Sequence, residues 1–254
     1  MNTLTLWLTA FLPLMTMQAV AANPEPGDVA ALATLCTEGA RTGAAPGKIE
    51  AACTSAIDAK VYQPGQVALL YLGRANVYDF MGEQPKALAD YNKAIELAPN
   101  LAAIYYNRGV YFAVQNNFDA AVKDYDAALR IDPNLIPALY NRARINGARG
   151  NFADALIDYS RAIEHQPGEP LLRMERGLLY VRQGDFQRAL QDEDEAIRLA
   201  PKLAKAHLYR GIALGKLGNS DAMVEETKIA IGLDPSLAKQ VKVNQDNRSA
   251  KPPP

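Results

Sequence analysis

Residues 105–133 read YYNRGVYFAVQNNFDAAVKDYDAALRIDP. On either side of Asn116 the stretch has the apolar periodicity of an amphipathic helix. Ala121 and Ala128 lie seven residues apart, two turns along one face of the second helix. Gly109 is small, as expected where two helix backbones cross closely. Asn116 tolerates the left-handed conformation that ends a helix. Asp132-Pro133 stops the second helix, because proline cannot continue it and restricts the residue before it.

The same frame recurs along the chain. Pro99, Pro133, Pro167, Pro201 and Pro235 follow one another at intervals of 34 residues. At fixed offsets before them stand Arg74, Arg108, Arg142, Arg176 and Arg210 in the first helix, each followed by Ala or Gly. Gly82, Asn116, Gly150, Gly184 and Gly218 mark the break. The second helix carries Ala94, Ala128, Ala162, Ala196 and Ala230, and Tyr91, Tyr125 and Tyr159, whose slot becomes Glu193 and Thr227 in the last two copies. Self-similarity at this fixed period predicts an all-α solenoid of antiparallel helix pairs, with five full repeats over residues 68–238.

These residues resemble the tetratricopeptide-repeat (TPR) family. Its pattern is aromatic-x2-Leu-Gly-x2-Tyr, then Ala-x3-Phe, then Pro. Here it reads Tyr105-x2-Arg108-Gly109-x2-Phe112, then Ala121-x3-Tyr125, then Pro133, with Arg in place of the usual Leu. The resemblance implies a right-handed superhelix that binds a protein or peptide along a concave face lined by first helices, and it implies no activity and no cofactor. By phase, the expected groove residues are Leu72, Asn76, Tyr106, Asn107, Val110, Tyr140, Asn141, Met174, Leu178 and Tyr209. Phe80, Val114, Arg144, Glu175, Arg182 and Lys205 fall on the same lining. Some TPR domains grip a terminal carboxylate with Lys and Asn. Asn76, Asn107 and Asn141 match in part, but Leu72 and Pro137 fill the lysine slots, so that clamp is not expected.

At the N-terminus, an apolar stretch of about 14 residues ends near Ala19-Val20-Ala21. It is shorter than the ~20 residues that span a bilayer, and residues 1–21 read as a secretory signal peptide. Export, to the periplasm in a bacterial setting, is the expectation, with no integral membrane segment in the mature chain. Residues 22–28 read as a flexible lead-in, 29–67 as a degenerate extra repeat, and 239–254 as a short cap and disordered tail.

Cys36 and Cys53, the only cysteines, are 17 apart, the spacing of Arg74 to Tyr91, so they face each other across the degenerate repeat. A disulfide is expected in an exported chain; two buried thiols are the alternative in a reducing compartment. Each repeat also carries an acid 16 residues after its Arg: Arg74/Asp90, Arg108/Asp124, Arg142/Asp158, Arg176/Asp192 and Arg210/Glu226. These read as structural ion pairs rather than as a ladder for anions. The run Asp192-Glu193-Asp194-Glu195 reads as a solvated face, since four consecutive residues wrap around a helix.

The balance of 27 basic against 28 acidic residues gives no footprint for nucleic acid. His165 and His207 have no partners at metal-ligand spacing, and nothing resembles a nucleophile or a phosphate loop. The expected function is a non-catalytic interaction scaffold, with a self-assembling structural module as the alternative.

Overall fold

The structure is a computed structural model that describes residues 26–239 and 241. The leader expected at 1–21, the start of the lead-in and the tail from residue 242 lie outside these residues. The described residues form twelve consecutive α-helices, and none is long and apolar enough to cross a membrane.

The chain divides into two compact units, with the boundary between Ala138 and Leu139, inside a helix rather than in a linker. The first unit holds α1 (Pro26–Glu38), α2 (Pro46–Asp58), α3 (Pro64–Phe80), α4 (Gln84–Leu97), α5 (Ala102–Val114) and α6 (Phe118–Ile131). The second holds most of α7 (Ile136–Ala148), then α8 (Phe152–His165), α9 (Pro170–Gln183), α10 (Phe186–Leu199), α11 (Ala204–Lys216) and α12 (Ser220–Leu233).

The local chemistry of each helical hairpin repeats with the sequence. The break residues Gly82, Asn116, Gly150, Gly184 and Gly218 all have positive φ, between 61° and 93°. The following residue donates back five positions, as Asn117 N to Phe112 O at 2.9 Å and Asp185 N to Tyr180 O at 2.9 Å. This is the left-handed helix termination that satisfies two carbonyls at once. In three of the five, the next helix starts on a side-chain cap: Asn117 accepts from Ala120 N, Asp185 from Arg188 N and Asn219 from Ala222 N. A tight, fully bonded turn fixes the second helix antiparallel to the first.

Packing within a pair is a small-to-large fit. Ala87, Ala94, Ala121, Ala128, Ala155, Ala162, Ala189 and Ala196 have no exposed surface, which lets helices approach closely. Tyr91, Tyr125 and Tyr159 are buried against the small residues of the preceding helix. At Gly109 a methyl group would stand 2.7 Å from Tyr125 Cε1, so the glycine is required by the ring. The Tyr91 hydroxyl donates to Asn76 Oδ1 at 2.7 Å, which satisfies its polar end.

In the first unit, α1 and α2 are joined by a disulfide between Cys36 and Cys53. The pair packs with Ala33, Ile49, Ala56, Leu70 and Val77, so the degenerate repeat shares its apolar cluster with α3. At the other end of the chain, Leu237 is 4% exposed and packs, with Val241, on the cluster of α9, α11 and α12. This short helical turn covers part of the terminal apolar face, as a repeat array requires.

Candidate functional site

Arginine is the residue type most suited to an anion site, and the five repeat arginines are engaged within the frame. Arg74 is bidentate on Asp90, with Nε at 2.7 Å and Nη2 at 3.0 Å. Arg108 meets Asp124 at 2.7 and 2.8 Å, Arg142 meets Asp158 at 2.9 and 2.7 Å, and Arg176 meets Asp192 at 2.8 and 2.7 Å. The acids are nearly buried, and the fork geometry of the guanidinium matches each carboxylate.

The third arm of the fork reaches the second helix of the preceding repeat. Nη1 of Arg74 donates to Thr54 at 3.0 Å, that of Arg108 to Asn92 at 2.6 Å, and that of Arg176 to Ser160 at 3.0 Å. These three arginines therefore each tie their own second helix to the one before. The last rung differs. Glu226 is shared, accepting from Arg210 Nη1 at 3.0 Å and facing His207 Nδ1 at 2.7 Å, while Arg210 Nε lies 2.8 Å from Asp194. His207 also meets Pro201 O at 3.0 Å, which leaves both its ring nitrogens occupied. Among the described residues, no group of three or more His, Cys, Asp or Glu could hold a metal ion.

The ten expected groove residues separate by exposure. Leu72, Tyr106, Val110, Met174 and Tyr209 are buried among their neighbours, whereas Asn76, Asn107, Tyr140, Asn141 and Leu178 are half-buried. Tyr106 lies against Tyr125, with ring centroids 6.1 Å apart, and retains 7% exposure. Asn76 accepts from Tyr91, and Asn107 Nδ2 donates to Ala103 O at 2.7 Å along its own helix. The open positions of the first unit are one turn further along: Phe80 is 81% exposed and Val114 is 50% exposed. They lie one repeat apart, at the ends of α3 and α5.

The first helices of the second unit also bring polar side chains together. Glu175 on α9 accepts a hydrogen bond from the Tyr140 hydroxyl on α7. Burial pushes its carboxyl up, against the opposing pull of Arg144, Lys205 and Arg182. Burial likewise pushes the Tyr209 hydroxyl up to about 12, with the Glu175 and Glu193 carboxylates adding to the shift.

Glu193 corrects the expectation of a solvated acidic face. It has no exposed surface, and neither carboxyl oxygen has a hydrogen-bond partner. Burial drives its pKa well above the usual carboxylate range, and the nearby Asp192, Glu175 and Asp194 reinforce the shift. Glu193 occupies the slot filled by Tyr91, Tyr125 and Tyr159 in earlier repeats, opposite Gly177 as Tyr125 stands opposite Gly109. The other departure, Thr227, satisfies its hydroxyl by donating to Met223 O at 2.7 Å within α12.

Comparison with known proteins follows the same frame. Family models described as tetratricopeptide repeat or TPR repeat match residues 75–114, 102–135, 140–204 and 176–222, together more than half the chain. No curated protein matches the chain in sequence. Among solved structures, the TPR protein YrrB, described as having an unusual peptide-binding site, is 25% identical. That match has a TM-score of 0.64 and covers 75% of this chain and 97% of YrrB. PilW, a widely conserved type IV pilus biogenesis factor, is 22% identical with a TM-score of 0.66, over 82% of this chain and 94% of its own. MamA from Desulfovibrio magneticus RS-1 is 20% identical with a TM-score of 0.61, over 66% and 96%. The last two matches establish a shared fold and no more. The repeated helical hairpins, their recurring side-chain slots and the family models agree: the chain belongs to the tetratricopeptide-repeat family.

Proposed function

We propose that this protein is a non-catalytic scaffold that docks a segment of a partner protein along the first-helix face of its repeats. One observation carries the reading: the repeat arginines and their acids are engaged in the frame, while apolar side chains on the first helices are left open. The arginine rungs are closed by acids and by the preceding helix. Phe80 and Val114, by contrast, project at one-repeat spacing with 81% and 50% exposure. Solvent-exposed apolar groups in register, beside half-buried Asn107, suit a segment that supplies apolar anchors and backbone hydrogen-bonding groups. YrrB, with its peptide-binding site, is a precedent for a ligand of this class.

The envelope setting is part of the same proposal. It is supported by the reading of residues 1–21 as an export signal, and by the Cys36–Cys53 disulfide, which persists in oxidising compartments. The description of PilW as a pilus biogenesis factor points the same way.

The test is affinity capture from envelope extract with the mature chain and with a Val114→Glu/Leu178→Glu variant, each on the first-helix face and neither fully buried. A discrete partner held by the first and released by the second, at equal helical content, supports the reading. Equal capture by both moves the interface elsewhere, and no capture by the mature chain removes the scaffold reading.

Self-assembly has one observation in its favour. Val224 on α12 is 47% exposed, whereas Leu156 and Leu190, in the same slot of earlier repeats, are half-buried. Sedimentation across a hundredfold range of concentration tests it: a constant monomer mass removes this alternative.

A further inference from the structure

Asp79 is a charge that the frame of the first unit does not use. The charged side chains of α3 and α5 are Arg74, Asp79 and Arg108. Both arginines are closed by nearly buried acids, and Glu38, at the end of α1, is paired with Arg41. Asp79 is half-buried, and among the described residues its carboxylate has neither a hydrogen-bond donor nor an ion-pair partner. The fold is not stabilised by this charge. Asp79 stands in the last turn of α3, where it meets the negative end of the helix dipole. Its partial removal from water has no compensating bond. The same slot in the other repeats holds Ala113, Gly147, Val181 and Gly215, all small or apolar. A charge kept at a cost to the frame marks recognition rather than packing.

Its position agrees. Leu72, Asn76, Asp79 and Phe80 follow one another at i, i+4, i+7 and i+8, one stripe of α3. The stripe opens along its length: Leu72 is buried, Asn76 and Asp79 are half-buried, and Phe80 is 81% exposed. Val114, the counterpart of Phe80 on α5, is 50% exposed. Asn76 accepts the Tyr91 hydroxyl through Oδ1, which leaves its Nδ2 hydrogens for a ligand.

We propose that this stripe binds a segment of a partner protein that places a lysine or arginine on Asp79 and an adjacent apolar side chain against Phe80 and Val114. The inference rests on the scaffold reading above and adds the chemistry of the bound segment. Charge complementarity names the occupant. An unopposed carboxylate on a partly dry wall selects a cation and rejects an anion more strongly than it would in open water. Asn76 Nδ2 supplies a donor for a backbone carbonyl of the segment. One carboxylate specifies one basic residue, not a polybasic run.

The probe is a fluorescently labelled, acetylated and amidated peptide with a Leu-Lys-Leu core in a Gly/Ser background. It is compared by anisotropy at low salt with Leu-Gln-Leu and Leu-Glu-Leu versions. The Lys probe binds about fivefold more tightly than the Gln probe, the effect of one partly exposed ion pair, and the Glu probe binds most weakly. Asp79→Asn makes the Lys and Gln probes equal, without lowering the melting temperature. Phe80→Ser weakens all three, and Glu96→Gln, in an exposed pair with Lys93 on α4, changes nothing.

Equal affinity of the wild type for the Lys and Gln probes overturns the proposal, as does a Lys preference that survives Asp79→Asn. A lowered melting temperature in Asp79→Asn assigns the carboxylate to the frame and also overturns it. Concentration-dependent dimerisation that Asp79→Asn abolishes assigns the face to a second copy, with the same consequence. If all three probes bind equally and Phe80→Ser abolishes them, the basic-residue inference fails and the scaffold reading stands. If no probe binds, the basic-residue inference fails, and the capture experiment decides the scaffold reading independently.

Discussion

Replacing Glu193 with phenylalanine is expected to stabilise the second unit, by an amount that grows with pH. Glu193 is fully buried, and both its oxygens lack partners. Leaving polar groups unsatisfied in a dry site costs about 1–3 kcal/mol. The slot accommodates a ring in three other repeats, and Gly177 offers no methyl group to oppose one. A phenyl group adds about 100 Å² of buried apolar surface, or about 2.5 kcal/mol, an upper figure given the compactness of unfolded chains. The expected gain near neutral pH is about 2–4 kcal/mol.

The sign of the pH dependence follows from the raised carboxyl. The folded state holds a proton that the unfolded state releases once the pH passes the ordinary carboxylate value of 4.5. Wild-type stability is therefore fully present below that value and falls as pH rises, with a slope of up to about 1.4 kcal/mol per unit. The phenylalanine variant lacks this slope. Urea denaturation followed by circular dichroism at pH 5.0 and 7.5 measures both quantities. A variant less stable than wild type at pH 7.5, or a difference independent of pH, refutes the reasoning.

Three further outcomes follow from the frame. Arg142→Ala leaves Asp158 buried without its bidentate partner, so it lowers stability by about 3 kcal/mol, read as a fall in melting temperature, while affinity for a captured partner is largely retained. Replacing both Cys36 and Cys53 by alanine, or reducing the bond, destabilises the α1/α2 pair by about 3 kcal/mol, read as faster proteolysis of the N-terminal region. Gly109→Ala drives a methyl group to 2.7 Å from the Tyr125 ring and costs about 1–3 kcal/mol, read from the urea midpoint.

The sequence shows most of the frame because the frame is made of local rules repeated in phase. Asn116 and its glycine counterparts announce their left-handed turns, since few other residues adopt that backbone. The arginine spacing shows which acid each faces, because 16 residues return the chain from one helix to the next. What the local rules miss is burial decided by register across helices. Glu193 sits in a tyrosine slot, and that phase is legible, yet a run of four acids invites a reading by composition alone. The openness of the expected groove positions is equally non-local: Tyr106 is buried beside the tilted Tyr125 ring, while Phe80, eight positions on from Leu72, stands clear. Arg144 and Arg182 differ from the rung arginines only in lacking an acid at the right height, which becomes visible once the side chains are placed.

Site-specific photo-crosslinking tests the central claim most directly. A photoreactive residue is placed at Val114 or Leu178 on the first-helix face, and at exposed Lys123 or Ile157 on second helices, and the protein is irradiated in envelope extract. The scaffold account predicts a discrete protein adduct from Val114 and Leu178 and none from Lys123 or Ile157. Adducts confined to the second helices, or only between copies of this chain, would contradict it.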